Sequence, residues 1–309
     1  MRSILALLDG SLDYAGLFPP AKLEMSPAVA NFAKYRAGPE SWILARMVVP
    51  ASRLKEFDAA AESSLPPVNG PGDDDAWPVS GLLPPAGDPD FVRGVEAIAR
   101  FNERHAMAGA GSALIDTVEF KASSADEIDE ALETLDDEIF PYIEIDAKKD
   151  PRGLITSLSD LAVGAKIRTG GIAPADHPSP EEVARFVFAC RAADVPLKAT
   201  AGLHHPYRHE AASVGCRQHG FLNFFLGCCL VAEDRIGEAE LAEMLADERP
   251  DSFSFREDSL AWRDRKVSVA EVRAARERFV HSFGSCSVDE PIADLRAGGL
   301  LPAGEGVVR

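Results

Sequence analysis

Residues 165–202, AKIRTGGIAPADHPSPEEVARFVFACRAADVPLKATAG, contain the pattern that decides the fold. Two short apolar runs, 165–169 and 197–201, have the length of buried strands, and each is followed by a glycine. Between them, Ser179 places an N-cap side chain directly before Pro180 at the first helical position, which is a typical helix start. The stretch therefore predicts a strand, a helix and a second strand, which is one βα unit leading into the next.

The same alternation of strand and helix patterns occurs eight times along the chain. The predicted strands are 12–18, 42–49, 79–83, 117–122, 142–146, 165–169, 197–201 and 252–255. The predicted helices are 27–36, 52–62, 89–105, 125–135, 153–161, 180–193, 220–232 and 269–283. Because eight βα units make a closed barrel of about 250 residues, we expect an α/β fold of the (β/α)8 TIM type. We expect a single domain over 1–309, with a surface insertion at 63–75 and a C-terminal arm at 296–309.

The composition argues against several classes of protein. Lys plus Arg number 32 against 50 Asp plus Glu, which gives a formal net charge of −18. Such a field repels nucleic-acid phosphates and anionic membrane surfaces, so we expect neither as a partner. The longest apolar stretch, 220–232, is shorter than the roughly 18 residues of a membrane span, and the N-terminal segment does not resemble a secretory signal. Five cysteines without a Cys-x-x-Cys pair are typical of reduced thiols, so we expect a cytoplasmic protein.

Charged residues alternate along four consecutive predicted strands. Residues i and i+2 of a strand share one face, and helices cover the outward face of a barrel strand. Charged side chains on that outward face would be desolvated at high cost, so we expect them inside the barrel, near its carboxyl mouth. The residues are Glu119 and Lys121, Glu144 and Asp146, Lys166 and Arg168, and Lys198. The structural alternative is an ion-pair network that only fills the barrel.

Glycine turns follow the two predicted strands that carry most of these cations. Backbone N–H groups at such turns bind anions in many barrels, and the neighbouring cations would supply the counter-charge. We therefore expect the mouth to hold a carboxylate or phosphate group. The expected substrate-binding residues are Lys121, Asp146, Arg168, Thr169, Gly170, Gly171, Thr200, Gly202, His204 and His205.

Lys166 and Lys198 are the candidate nucleophiles. A buried lysine beside other cations has a lowered pKa, and its neutral amine can then attack a carbonyl carbon to form a Schiff base. We expect Arg168 and Lys121 to supply those neighbouring charges. The candidate acid and base are Glu119 and Glu144.

Histidines and one cysteine offer further chemistry in the second half of the chain. The segment 204–209 follows the seventh predicted strand and contains three histidines, but His204 and His205 are adjacent and do not share a face. We favour acid–base catalysis or substrate binding over metal binding, and we expect no metal and no cofactor. Cys286 follows the last predicted helix, which would place it on the face opposite the site, in a capping or docking role.

The chain resembles an uncharacterised bacterial protein family at four segments, which are KIRTGG from Lys166, KATAGLHHP from Lys198, HGFLN from His219 and GSCS from Gly284. This resemblance covers roughly the second half of the chain and implies no activity. More loosely, cations on the sixth and seventh strands followed by glycine turns resemble class I aldolase-type barrels. They also resemble the phosphoribosyltransferase-type barrels of pyridine-nucleotide synthesis.

Three functions fit these residues, and each involves a small anionic metabolite. The first is a metal-independent aldolase-type lyase that uses a barrel-mouth lysine. The second is a phosphoribosyl-type transferase whose cations bind diphosphate and whose Mg²⁺ is held by carboxylates such as Glu144 and Asp146. The third is a non-catalytic barrel that binds or senses a small anion. Association into a homo-oligomer is compatible with the sequence.

Overall fold

The computed structural model describes residues 2–69 and 75–302, and eight parallel strands close into a barrel. The barrel strands are β1 (Leu12–Tyr14), β2 (Leu44–Pro50), β3 (Trp77–Leu82), β4 (Ala113–Lys121), β5 (Phe140–Ile145), β6 (Gly164–Arg168), β7 (Leu197–Thr200) and β8 (Val280–Ser285). Neighbouring strands follow chain order, and β8 pairs with β1 to close the barrel. The α/β fold of the (β/α)8 TIM type is therefore confirmed.

Helices alternate with these strands. They are α1 (Arg2–Leu8), α2 (Met25–Ala37), α3 (Leu54–Ala61), α4 (Phe91–His105), α5 (Ala125–Leu132), α6 (Arg152–Thr156), α7 (Pro180–Ala192), α8 (Phe221–Ala232), α9 (Glu238–Ala246), α10 (Val269–Arg278) and α11 (Asp289–Ala297). Short 3-10 helices occupy Ser41–Ile43, Ala51–Arg53, Pro174–Asp176 and Pro250–Ser252. Several helix starts are set by local chemistry. Ser124, Ser179 and Ser268 each accept a hydrogen bond from the backbone N–H three residues further on, which satisfies a donor that the first turn leaves free.

Short strands also form two small sheets outside the barrel. Between β7 and α8, the strands His209–Ala211 and Cys216–Gln218 form an antiparallel hairpin. Between α9 and α10, the strands Phe253–Phe255, Ser259–Trp262 and Arg265–Ser268 form an antiparallel sheet.

The eighth barrel strand differs from the one that the sequence predicts. The sequence predicts a barrel strand at 252–255, but that segment belongs to the antiparallel sheet outside the barrel. The predicted helix 269–283 is wrong in its last five residues, because α10 ends at Arg278 and β8 follows. No glycine or proline marks this boundary. The chain leaves the helix at Phe279, whose φ of −130° and ψ of −58° are no longer helical.

The register of the barrel brings four charged residues to the same side of the sheet. Glu144 is the register partner of Lys166, and Lys166 is the register partner of Lys198, across β5, β6 and β7. On β4, Glu119 is paired in register with Tyr142, two residues before Glu144. Because strand residues two positions apart share a face, all four charged side chains point into the barrel.

Helix α8 packs against α7, α9, α10 and β8 and is buried on nearly all sides. The predicted helix at 220–232 is therefore confirmed, and it is a buried one. The ring of Phe221 stacks on Phe283 of β8 with centroids 5.4 Å apart, and Phe225 meets Phe283 edge-on at 5.5 Å. Among the described helices, α8 included, none is long and apolar enough to cross a membrane.

Two peripheral segments are described in part. In the predicted insertion 63–75, residues 70–74 lie outside the described residues, and Pro67 forms an isolated antiparallel bridge with Gly111. In the predicted arm 296–309, the first two residues belong to α11, and residues 303–309 lie outside the described residues.

Candidate active site

The carboxyl ends of the barrel strands surround a cavity of about 670 Å³. The buried charged residues Glu119, Lys166 and Lys198 line it, together with the half-buried Glu144. Exposed Lys121 and Arg168 line its outer part. Much of its wall is apolar, with lining residues that include Phe18, Pro19, Pro20, Leu82 and Leu83. The cavity therefore combines a charged interior with an apolar wall, which is the usual character of a small-molecule site.

The buried charges form one continuous network. The Lys166 Nζ atom lies 2.8 Å from Glu119 Oε2 and 2.8 Å from Glu144 Oε2. The Lys198 Nζ atom lies 2.7 Å from Glu119 Oε1 and 2.5 Å from Asp13 Oδ2. The Glu119 carboxylate therefore bridges the two lysines, and each lysine has a second carboxylate of its own.

Neighbouring groups hold this network in place. The Ser80 hydroxyl donates a hydrogen bond of 2.8 Å to Glu119 Oε1, and the Ser282 hydroxyl donates one of 2.6 Å to Asp13 Oδ2. The Lys198 ammonium group lies 5.2 Å from the centroid of the Tyr142 ring, a distance suited to a cation–π contact. Groups on strands β3, β5 and β8 thus hold the side chains of the network, in addition to the contacts within the network itself.

The charges of the network determine its protonation. Burial alone would lower the pKa of Lys166, but the Glu119 and Glu144 carboxylates outweigh burial and raise it. The pKa of Lys198 is raised in the same way, since Asp13 and Glu119 outweigh burial. Burial would raise the pKa of Glu119, but the two lysines hold it well below its ordinary value. Both lysines are therefore ammonium ions and Glu119 is a carboxylate at neutral pH.

The expectation that Arg168 and Lys121 lower a lysine pKa is wrong. Both of these side chains are exposed, whereas each buried lysine has two carboxylates within 2.8 Å of its Nζ atom. Contact charges in a dry interior act much more strongly than exposed charges at the rim.

Access from the cavity differs between the two lysines. The side chain of Glu144, the second partner of Lys166, is 19% exposed, whereas that of Asp13, the second partner of Lys198, is 1% exposed. A molecule that enters from the barrel mouth therefore meets the Lys166–Glu144 pair first.

Most of the expected substrate-binding residues line the same cavity. These are Lys121, Arg168, Gly171, Thr200, Gly202, His204 and His205. Asp146 instead lines a neighbouring pocket of about 220 Å³, which it shares with Lys121, Glu144 and Arg168.

Thr169 and Gly170 shape the mouth loops and do not line the cavity. The Thr169 hydroxyl is buried and donates hydrogen bonds to the backbone carbonyls of Thr200 and Ala201, at 3.2 and 2.6 Å. A Cβ atom on Gly170 would lie 2.9 Å from the Cα atom of Gly202. The glycine therefore allows the loops after β6 and β7 to pack closely.

Cys286 lies at the site, and its predicted place on the opposite face is wrong. It directly follows β8 and lines the cavity, because the segment before it is a barrel strand and not a helix. Its Sγ atom is 3.9 Å from Nδ1 of His204, and the same nitrogen is 3.5 Å from Glu290 Oε2. Burial raises the pKa of the Cys286 thiol and lowers the pKa of His204.

Asp13, like Cys286, is a site residue that is absent from the predicted site. It is a single charged residue between Leu12 and Tyr14 in a predicted strand, and the inward-facing rule applied to the later strands would also have selected it.

Within the described residues, no group of three or more His, Cys, Asp or Glu side chains could hold a metal ion. No protein-family model matches the chain, and no curated protein matches it. The fold and site define the class of molecule, a (β/α)8 barrel with a buried lysine–carboxylate network at its mouth. This architecture is consistent with an enzyme that acts on small metabolites.

Proposed function

We propose that the chain is a metal-independent lyase of aldolase type, in which Lys166 forms a Schiff base with the carbonyl carbon of a small anionic metabolite. The observation that carries this proposal is the position of Lys166, which lines the cavity between two carboxylates and shares one of them with a second lysine. Lys166 is favoured over Lys198 because its partner Glu144 is the most accessible carboxylate of the network.

The raised lysine pKa is compatible with this chemistry. Schiff-base formation converts an ammonium group and a carbonyl group into a protonated imine and water, so the positive charge stays on the lysine nitrogen. Glu144 takes the proton that frees the amine and returns it to the departing oxygen. The carboxylates that stabilise the Lys166 ammonium ion also stabilise the iminium ion that replaces it.

Carbon–carbon cleavage then needs one base, and the network supplies it. Glu144 removes the proton of the hydroxyl group β to the iminium carbon, the carbon–carbon bond breaks, and an aldehyde leaves. The bonding electrons form an enamine with the Lys166 nitrogen. The enamine carbon takes the proton back from Glu144, and water releases the ketone product and restores the Lys166 ammonium ion.

The rest of the cavity supports an anionic substrate with an apolar part. Among the described residues, Arg168 and Lys121 are the only Lys or Arg side chains that line the outer part of the cavity. Arg168 presents several N–H donors in one plane, which suits a carboxylate or a phosphate. The apolar wall around Phe18 and Leu82 suits the carbon chain of the substrate.

Borohydride trapping tests the proposal. The protein is incubated with a panel of small carbonyl compounds, beginning with pyruvate, and reduced, and its intact mass is measured. We expect a stable adduct in the wild type, in Lys198→Met and in the rim variant Lys121→Ala, and no adduct in Lys166→Met. Peptide mapping of the wild-type adduct locates the modified lysine without any substitution.

The outcomes separate the hypotheses. An adduct on Lys198 would retain the lyase and change its nucleophile. The absence of an adduct across the panel would overturn the proposal and favour the transferase or the anion-binding barrel. Isothermal titration with pyrophosphate then distinguishes those two, because only the transferase hypothesis predicts binding that depends on Mg²⁺ and on Glu144 and Asp146.

A further inference from the structure

A second cavity, of about 350 Å³, lies on the other side of the lysine network. Its lining includes Asp13, Arg46, Asp116, His281 and Ser282. All of them except Asp13, the middle residue of β1, come from the first halves of their strands, so the cavity lies at the amino end of the barrel. Lys198 lines both this cavity and the one at the mouth. The network therefore forms a bridge of charged groups between two cavities at opposite ends of the barrel.

Asp13 lies where the network meets the second cavity. Its Oδ2 atom accepts hydrogen bonds from Lys198 and Ser282, but its Oδ1 atom is buried and has no hydrogen-bond partner among residues 2–69 and 75–302. The residue is 1% exposed. A buried carboxylate oxygen without a hydrogen-bond partner lowers the stability of the fold. A purely structural role of the Asp13–Lys198 ion pair therefore does not explain this arrangement.

The second cavity is open to solvent. Arg46 and Asp116 line it, and their side chains are 31% and 42% exposed. A polar cavity of this size accommodates several water molecules, since one occupies about 30 Å³ in the liquid. Asp13 and Lys198 both line this cavity, so water that fills it lies beside the Asp13–Lys198 pair.

We propose that the amino-end cavity is a proton path that connects solvent with the lysine network through Asp13. The proposal rests on the lyase function proposed above and gives the network of that site a route for proton exchange with solvent. Lys198 passes a proton to Asp13, Asp13 releases it to water in the cavity, and Lys198 regains a proton from protonated Glu119. One proton thus leaves the mouth side, and every group of the network returns to its starting charge.

Protonation of Glu119 favours the first transfer. When Glu119 receives a proton from the mouth side, it no longer carries the charge that helps to hold the Lys198 ammonium ion. Asp13 is then the remaining carboxylate beside Lys198, at 2.5 Å, and the proton moves to it more readily. Asp13 acts through Lys198 and is therefore a positioning residue in this scheme.

Hydrogen exchange at the lysine ammonium groups tests the path. Nuclear magnetic resonance of protein with ¹⁵N-labelled lysine gives the exchange rate of the Lys198 Nζ protons with solvent, and the Lys166 signal in the same sample is the internal reference. We expect Asp13→Asn to slow exchange at Lys198 by about tenfold or more, because the base that takes the proton is gone. Exchange at Lys166 should stay within about twofold of the wild-type rate, because Glu144 connects it to the mouth.

A second variant blocks the cavity without altering the network. Glu138 is exposed and lines the amino-end cavity, so Glu138→Trp should fill its opening and also slow exchange at Lys198. The matched control is Glu133→Trp, at an exposed position that lines none of the three cavities. Structural loosening would accelerate exchange, whereas the loss of a path slows it, so the direction separates the two effects.

The outcomes are decisive and independent of the Schiff base. An Lys198 rate that is unchanged or faster in Asp13→Asn and in Glu138→Trp would overturn the path, as would equal slowing by Glu133→Trp. The exchange experiment contains no carbonyl compound, so its result does not depend on whether a Schiff base forms. A missing adduct overturns the lyase alone, and unchanged exchange overturns the path alone.

Discussion

Replacing Glu119 with glutamine tests whether the two lysines depend on one shared carboxylate. Glu119 Oε1 accepts hydrogen bonds from Lys198 and Ser80 at 2.7 and 2.8 Å, and Oε2 lies 2.8 Å from Lys166 Nζ. A glutamine amide has only one oxygen, so in either orientation its NH₂ group faces an ammonium group. Removing one partner of a buried ion pair costs about 3–5 kcal/mol, and we expect the free energy of unfolding at pH 7 to fall by about that amount.

The same variant predicts a pH dependence of defined sign. Burial would raise the pKa of Glu119, but Lys166 and Lys198 outweigh it and hold the pKa well below the ordinary value of 4.5. The folded state therefore binds fewer protons at this carboxyl group than the unfolded state, and the stabilisation is complete above the ordinary pKa. The difference in unfolding free energy between wild type and Glu119→Gln should be constant from about pH 6 to 8 and should shrink below about pH 4.5.

Urea unfolding followed by tryptophan fluorescence provides the measurement. The exposed Glu130→Gln is the matched control, and it should change the unfolding free energy by less than about 0.5 kcal/mol. A loss of less than about 1 kcal/mol for Glu119→Gln at pH 7 would refute the reasoning, as would a difference that does not shrink in acid.

Three further predictions concern the rim, the loop after β7 and the packing of β8. Arg168→Ala should weaken binding of an anionic carbonyl compound by about tenfold, because it removes the planar N–H donors. Binding is measured as the concentration that gives half of the maximal borohydride adduct, and the exposed control Lys149→Ala should leave that concentration unchanged. Asn223 of α8 holds the loop after β7, because its side-chain oxygen accepts a hydrogen bond from the backbone N–H of Arg208 and its NH₂ group donates to two backbone carbonyls. Asn223→Ala should therefore lower the free energy of unfolding, measured in urea, by at least about 2 kcal/mol. Gly284→Ala should cost about 1–3 kcal/mol in the same assay, since its Cβ would lie 2.8 Å from Thr200 Oγ1; an unchanged stability would contradict this packing argument.

Much of the barrel could be predicted from the sequence because its rules are local. Period-two alternation places the charged residues of a strand on one face. Helices cover the outer face of the sheet, where charged side chains would be desolvated at high cost. Glu119, Glu144, Lys166 and Lys198 are therefore predicted on the inner face. The start of α7 is also local, since the Ser179 cap, Pro180 and the reciprocal Glu182 bond lie within four residues.

The eighth strand could not be predicted in this way. Phe253–Phe255 (FSF) has the pattern of a short strand, whereas β8 (VHSFGS) is largely polar. Only the pairing with β1 identifies β8 as the strand that closes the barrel. The chain also passes from α10 into β8 with no glycine or proline between them, so the sequence gives no break signal. This one misplaced strand explains why Cys286 was expected on the wrong face.

The protonation of the lysines could not be predicted either. Sequence spacing reveals which side chains share a face, but it does not reveal distances between strands. The pKa of Lys198 depends on Asp13, which is 185 residues away in the chain and 2.5 Å away in the fold. The cations near Lys198 in the sequence predict a lowered pKa, whereas the carboxylates that contact it in the fold raise its pKa.

The arrangement of the network favours a chemical role over simple filling of the barrel. Apolar side chains of similar volume usually stabilise a core at least as well as buried ion pairs do, so stability alone gives no reason to keep these charges. An ion-pair network that only fills space would have equal numbers of opposite charges and no unpaired atoms. This network has one more carboxylate than ammonium groups, with the half-buried Glu144 lining the mouth cavity and an unpaired oxygen on Asp13. Both irregularities lie where the network meets a cavity. Groups that exchange protons with a ligand or with solvent need such open positions, and this supports reading the network as catalytic machinery.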